Sequence, residues 1–197
     1  MFGNTPKAIP PWGGSKALYG TNPIAFSVPR SKTPPLVIDL SLSKVARGKV
    51  MMANQKNERI PQGWAIDEQG NPTSDAKKAL AGAMLPIGDA KGSALALMIE
   101  ILSAALTGSN FGFEASSFFD SEGDSPGVGQ LIIAIDPSFF SGDVFSERVE
   151  TIVSAILDQP STRLPGNKRL EKRKWREKTK KIAISQELYD EVTKLTK

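Results

Sequence analysis

The chain has 197 residues, 40% hydrophobic and 23% charged, with a formal net charge of +4, ordinary values for a soluble protein of one substantial domain or two small ones. It contains neither cysteine nor histidine, which excludes disulfides, thiolate or imidazole metal sites, and every Ser-His-Asp or zinc-hydrolase arrangement. A metal would need oxygen ligands alone and no loop is spaced for them, so none is expected; the lack of cysteine suits a reducing, cytoplasmic setting.

After Met1, the stretch FGNTPKAIPPWGG lacks the charged–apolar–small order of a secretory leader and is expected to come from the middle of a protein. Pro6, Pro10 and Pro11 with Gly13 and Gly14 predict no regular structure there. Ile24 to Val28 and Leu36 to Leu40 read as strands on either side of a Pro-rich loop. Ser43 is the expected N-cap of a helix running to about Asn57. Asp67 to Asn71 (DEQGN) is a turn, and Asp75 to Gly82 a short helix. Ser93 to Leu106 is the strongest helix, stopped by Thr107-Gly108. Its apolar residues occupy nearly every face, so it is expected to be central and buried. Glu100 interrupts this apolar run, which is too short to span a bilayer, and no membrane partner is expected.

Gly112 to Gly129 is a long polar-aromatic loop. Gln130 to Ile135 (QLIIAI) reads as a buried strand closed by Asp136-Pro137. Val144 to Leu157 is an amphipathic helix with a stripe of Val144, Val149, Ile152, Val153 and Ile156. A loop and helix follow, and Ser185 caps a last helix from Gln186 to about Leu195. No internal repeat is evident. The irregular alternation of strands and helices predicts an α+β fold: a mixed, mainly antiparallel sheet packed with helices.

Charge is unevenly spread. Between Arg163 and Lys181 stand ten Lys/Arg and two Asp/Glu, a local +8, while the remainder carries −4. Such a block is more commonly a solvated helix face or a local anion site than a nucleic-acid surface, and no aromatic interleaving beyond Trp175 argues for the latter; nucleic acid is not an expected partner.

Four other constellations stand out. Arg47-Gly48 offers two parallel donors to a carboxylate beside a backbone that a substrate can approach closely, although such pairs are commonly incidental on helices. Asp39-Leu40-Ser41 ends a strand, where ligands often bind, yet Asp39 equally satisfies nearby backbone donors. Gly88-Asp89-Ala90-Lys91-Gly92 opens the apolar helix, whose N-terminus with Lys91 suits a phosphate, while Asp89 opposes one. Leu164 to Arg169 (LPGNKR), preceded by Arg163, is either a cation-rich grip on an adenosine phosphate or a solvated loop. The dinucleotide fingerprint GxGxxG is absent. A structural hydrogen bond is the commoner role for a carboxylate such as Glu100.

Six segments in order, GTNPIAFSVPR, VIDLSLSKVARGKV, IPQGWAIDEQGNPTSD, LPIGDAKGSALALMIEILSAALTG, GQLIIAIDPSFF and RLPGNKR, resemble the malate/L-lactate dehydrogenase family of non-Rossmann NAD(P)-dependent oxidoreductases. The Gly, Asn and Phe after the central helix (Gly108, Asn110 and Phe111) and Arg163-Leu164-Pro165-Gly166 look most like its piperideine-2-carboxylate/pyrroline-2-carboxylate reductase branch. The resemblance covers the chain to about residue 170 and the C-terminal part of the family's length. It implies NADP (or NAD) as cofactor, a small-molecule carboxylate substrate and a homodimer.

Carried over residue by residue, Thr21, Arg47 and Gly48 would touch substrate. Asp39, Leu40 and Ser41, the turn Asp89, Ala90 and Lys91, and the loop Leu164, Pro165, Gly166, Asn167, Lys168 and Arg169 would touch the cofactor. The sequence departs from the family in three ways. The catalytic histidine lies outside this chain, so no catalytic residue is assigned. Lys49 stands where the reductase branch has an aspartate. The turn usually reads Gly-Gly-His-Lys-Gly, and here it is Gly-Asp-Ala-Lys-Gly. The expectation is a cofactor-binding domain over residues 1–160 and a basic loop with helices over 161–197. Together they form the C-terminal part of a reductase acting on a cyclic imino acid or interconverting a 2-oxo and a 2-hydroxy acid, its N-terminal portion supplied separately. The other expectation is an inactive remnant serving as a nucleotide-binding or dimerisation module.

Overall fold

The computed structural model describes residues 1–196. Strands β1 (Phe2–Gly3), β2 (Ile24–Val28), β3 (Leu36–Leu40) and a later β7 (Gln130–Leu131) form one sheet in the order β3-β2-β1-β7, with every pairing antiparallel. The β2–β3 hairpin has the expected bounds, in a register from Ile24 opposite Leu40 to Val28 opposite Leu36. Its branched and aromatic residues suit a pleated surface. β1 and the Ile9–Tyr19 bridge bring order into the Pro/Gly-rich start, where none is expected from the sequence.

A second antiparallel sheet, β5-β4-β6, combines β4 (Ala65–Ile66), β5 (Pro72–Thr73) and β6 (Ala83–Met84). It packs with α1 (Arg47–Gln55) and α2 (Ala76–Ala81) around Val45, Val50, Ile60, Ala65, Ala79 and Met84. α2 starts where the sequence places it, because the Asp75 carboxylate accepts from Lys78 N–H. α1 starts later than expected. Ala46 precedes it without a side-chain cap, while Ser43 bridges to Pro86 and its hydroxyl donates to the Val45 carbonyl. That local bond takes the hydroxyl that would have capped the helix.

α3 (Ala90–Glu100) begins before Ser93 and runs into a π-helical turn, Ile101–Ala105. One of its faces closes a core of Ala8, Ile9, Leu42, Ala96 and Ile99. Burying each of the large aliphatic side chains there is worth about 1.5–3 kcal/mol. The expectation of an all-round buried helix is corrected: Leu95, Leu97, Met98, Ile101 and Leu106 are exposed. So is the expectation of a buried strand over 130–135, since only Gln130–Leu131 pairs and Ile132, Ile133 and Ile135 face outward. α4 (Val144–Leu157) has the expected bounds, but of its apolar stripe only Val153 is buried. α5 (Asn167–Thr179) carries the basic block, and α6 (Gln186–Leu195) is capped by the Ser185 hydroxyl as expected.

Candidate functional site

Two short segments, Gly3-Asn4-Thr5-Pro6 and Gly20-Thr21-Asn22-Pro23, are near-echoes of one another, and they meet on Glu100. This carboxylate is buried and accepts four N–H groups: Asn4 Nδ2 at 3.3 Å, Asn22 Nδ2 at 3.0 Å, Gly20 N at 3.0 Å and Gly112 N at 3.1 Å. Four donors satisfy a charge that is otherwise costly to bury. The structural role expected for Glu100 is therefore met. The clasp sets Thr5 and Thr21 face to face, their hydroxyls 3.3 Å apart, with Thr21 N donating to Thr5 Oγ1 at 2.9 Å. The approach is so close that a Cβ on Gly20 would lie 2.2 Å from the Thr5 carbonyl oxygen, a space only glycine leaves free.

Above these hydroxyls lies a cavity of about 240 Å³ bounded by Thr5, Lys7, Thr21, Arg47, Ser117 and the Phe118-Phe119 pair, among others. Arg47 is the first residue of α1, where the helix already presents its positive end. Its guanidinium lies over the Phe119 ring at 5.7 Å, and one terminal nitrogen donates to the Leu80 carbonyl at 3.3 Å. Nε is buried with no partner, and burial pushes the Arg47 pKa below its usual value. The cavity lining includes no Asp or Glu. Cation–π contact and one long hydrogen bond compensate a half-buried guanidinium only partly. Chemically, then, this is a place for an anion with a planar, apolar-walled remainder.

The structure brings Thr21 and Arg47 to this cavity. Gly48 and Lys49 are exposed on α1 and do not line it. A second cleft, of about 330 Å³, joins Val37, Asp39 and Leu40 to Arg163, Pro165, Gly166, Lys168 and Arg169, residues more than a hundred positions away in sequence. Gly166 turns there with φ +81°, a conformation that favours glycine. Arg169 donates to Asp39 at 2.6 Å, which takes up the acid's charge and leaves Arg163 and Lys168 outside any ion pair among the described residues. This donor set fits a phosphate-bearing cofactor. Leu164, itself buried, and Asn167 line a neighbouring pocket with Pro34 and Pro35 rather than this cleft. Ser41 lies outside the cleft, its hydroxyl 3.0 Å from that of Ser43. The Asp89, Ala90 and Lys91 turn is exposed at the start of α3 and lines neither cavity.

Sequence reasoning missed Thr5, Lys7 and the 115–119 wall. The GNTP/GTNP echo was a legible signal for the Thr5–Thr21 pair. The aromatic wall had no local signal, because it sits in a long loop positioned by Gly112 on Glu100 and Asn110 on Gly127 and Pro126.

A family model described as malate/L-lactate dehydrogenase matches residues 1–193. The chain is 55% identical over 191 residues to a (2R)-3-sulfolactate dehydrogenase (NADP(+)) of Chromohalobacter salexigens, covering 97% of this chain and 56% of that protein. It is 45% identical over 168 residues to a Delta(1)-pyrroline-2-carboxylate/Delta(1)-piperideine-2-carboxylate reductase of Pseudomonas aeruginosa, covering 84% and 50%. Among solved structures it resembles the delta1-piperideine-2-carboxylate reductase of Pseudomonas syringae pvar. tomato with a TM-score of 0.87 and 37% identity, covering 98% of this chain and 58% of that one. It also resembles the sulfolactate dehydrogenase of Methanocaldococcus jannaschii, with a TM-score of 0.81 and 34% identity, covering 96% and 55%. The chain spans about half the length of these relatives. Matched over nearly all of its residues in sequence and in fold, the protein belongs to the malate/L-lactate dehydrogenase family.

Proposed function

We propose that the chain is the cofactor-binding part of an NAD(P)-dependent oxidoreductase that reduces a cyclic imino acid, or interconverts a 2-oxo and a 2-hydroxy acid, in the cytoplasm. The observation that carries this reading is Arg47: a half-buried guanidinium, unpaired at Nε, facing a small cavity lined by no acid. A nicotinamide cofactor, when bound, would supply the hydride for reduction of the substrate's C=N or C=O bond. Arg47 holds the substrate carboxylate, the Thr5 and Thr21 hydroxyls orient it, and Phe118 and Phe119 wall the cavity beside it. Arg163 and Lys168, beside the Arg169–Asp39 pair, would hold the cofactor's phosphates, so the 161–197 segment would lend its basic loop to the 1–160 domain. The balancing proton on the substrate's nitrogen or oxygen comes from a donor outside these 197 residues, since the chain has no histidine.

A second reading has its own support. The absence of histidine together with the broad exposed apolar face of α3 and residues 132–140 suits a nucleotide-binding or dimerisation module without turnover. Titration of the purified chain with NADPH, followed by nicotinamide fluorescence, is expected to saturate below millimolar concentration; no binding there would overturn the oxidoreductase and the nucleotide-binding readings and leave the dimerisation module alone. Oxidation of NADPH above the no-enzyme rate, with piperideine-2-carboxylate or a 2-oxo acid, separates the oxidoreductase from the silent module.

A further inference from the structure

The cavity that holds Arg47 has a second cation. Lys7 lines it alongside Thr5, Thr21 and the Phe118-Phe119 pair; no acid belongs to that lining, and Glu68, which shares a neighbouring pocket with both Lys7 and Arg47, is ion-paired with neither among the described residues. Lys7 is exposed at its side chain but not free to wander at its root. Its N–H donates to the Gly112 carbonyl at 2.7 Å, and the next residue, Ala8, donates to the Tyr19 carbonyl at 2.7 Å. The backbone that presents Lys7 is thus pinned between the 112 loop and the Thr21 segment, the same two segments that Glu100 clasps. Among the described residues the ion pairs are Arg30–Glu150 and Arg169–Asp39, and neither Lys7 nor Arg47 belongs to one.

Two like charges around about 240 Å³ repel one another, and the repulsion rises where a ligand displaces the water between them. A monoanion relieves one of them. A compact molecule with an anionic group at each end relieves both, and the cavity, smaller than sites for drug-sized ligands, admits only a few carbons between the two groups. A cyclic imino acid carries one carboxylate and presents Lys7 with an uncharged ring edge, leaving that ammonium to solvent.

We infer that Lys7 is a specificity-determining residue that receives a second anionic group, so that the preferred ligand is a short 2-oxo or 2-hydroxy acid with a terminal carboxylate or sulfonate rather than a cyclic imino acid. This rests on the carboxylate site at Arg47 proposed above, and it selects between the two substrate classes that reading leaves open.

The test compares affinities by calorimetric titration of the full chain in the presence of saturating NADPH, with malate and 3-sulfolactate as dianions and lactate and piperideine-2-carboxylate as monoanions. The dianions are expected to bind about tenfold more tightly than lactate, between the weak pull of an exposed ion pair and the stronger pull of a desolvated one. Lys7→Met is expected to collapse that ratio toward one and Lys7→Arg to restore it, while Lys32→Met, an exposed lysine in the β2–β3 loop, keeps it. Circular dichroism melts confirm that each variant is folded. A ratio near one in the unaltered chain, or a ratio that Lys7→Met leaves intact, overturns the role of Lys7 while the Arg47 site stands. Failure of all four ligands to bind overturns that site and this inference together.

Discussion

Glu100 sits where three stretches of chain converge, and each of its oxygens receives two N–H groups. Removing the carboxylate would strand four buried donors at once, and a single stranded donor costs about 1–3 kcal/mol. Glu100→Ala is therefore expected to lower stability by at least about 3 kcal/mol, read as a fall in the urea midpoint. Glu100→Gln fills the same space but turns an amide N–H₂ toward existing donors, so it is expected to recover only part of the loss. Asn4→Ala and Asn22→Ala should each fall between these, because each removes one donor and leaves the carboxylate in place.

Among the helices, the start of α3 carries a local conflict. Asp89 adopts φ +55° and ψ −121°, directly after Gly88 at φ +62°. Glycine enters that region freely, whereas an L side chain held there costs about 1–3 kcal/mol. Asp89→Gly is expected to raise the thermal midpoint; an unchanged or lower midpoint would mean that the aspartate makes a compensating contact.

A second element-scale prediction concerns α4, which Arg30 ties to the β2–β3 hairpin through a two-pronged pair with Glu150 at 2.9 and 2.6 Å. The hydrogen bonds from Arg30 hold the Glu150 pKa below its ordinary value. A carboxylate with a depressed folded-state pKa stabilises the fold fully above its unfolded value, and that contribution is lost as pH falls through the folded value. The melting temperatures of wild type and Glu150→Gln should thus differ at neutral pH and converge in acid.

How much of this was legible in the sequence follows the range of the signals. The bounds of β2, β3, α4 and α6 and the place of α2 rest on contacts within a few residues, and they read correctly. Ser43 misled because a hydroxyl can bond a neighbouring carbonyl as readily as cap a helix. Ile132 to Ile135 misled because an apolar run states that a surface avoids water without stating what covers it. The meeting of Asp39 with Arg169, 130 residues apart, has no local signature at all.

Over the whole molecule, much apolar surface is left exposed. Leu95, Leu97, Met98 and Ile101 on α3 and its extension, Ile132, Ile133 and Ile135 beyond β7, and Phe139 and Phe140, exposed at 85% and 81%, amount to far more than the scattered apolar residues of an ordinary surface. Soluble monomers rarely tolerate that much. Sedimentation velocity is expected to show concentration-dependent association toward twice the monomer mass or beyond. Replacing Leu97 and Ile101 together with Glu should shift the population to monomer, and a chain that stays monomeric at all concentrations would contradict this.

The clasp on Glu100 also sets an order of events. Its four hydrogen bonds close loops of 96, 80, 78 and 12 residues, and only the last is local. Long loops form slowly because their closure entropy comes due before any contact rewards it. The Thr5–Thr21 floor therefore has no scaffold until Glu100 has been synthesised and the segment through Gly112 has turned back upon it. During synthesis the anion cavity forms late, after Gly112 has left the ribosome, and a nascent chain stopped short of Gly112 carries the GNTP and GTNP segments with one of their ties unmade.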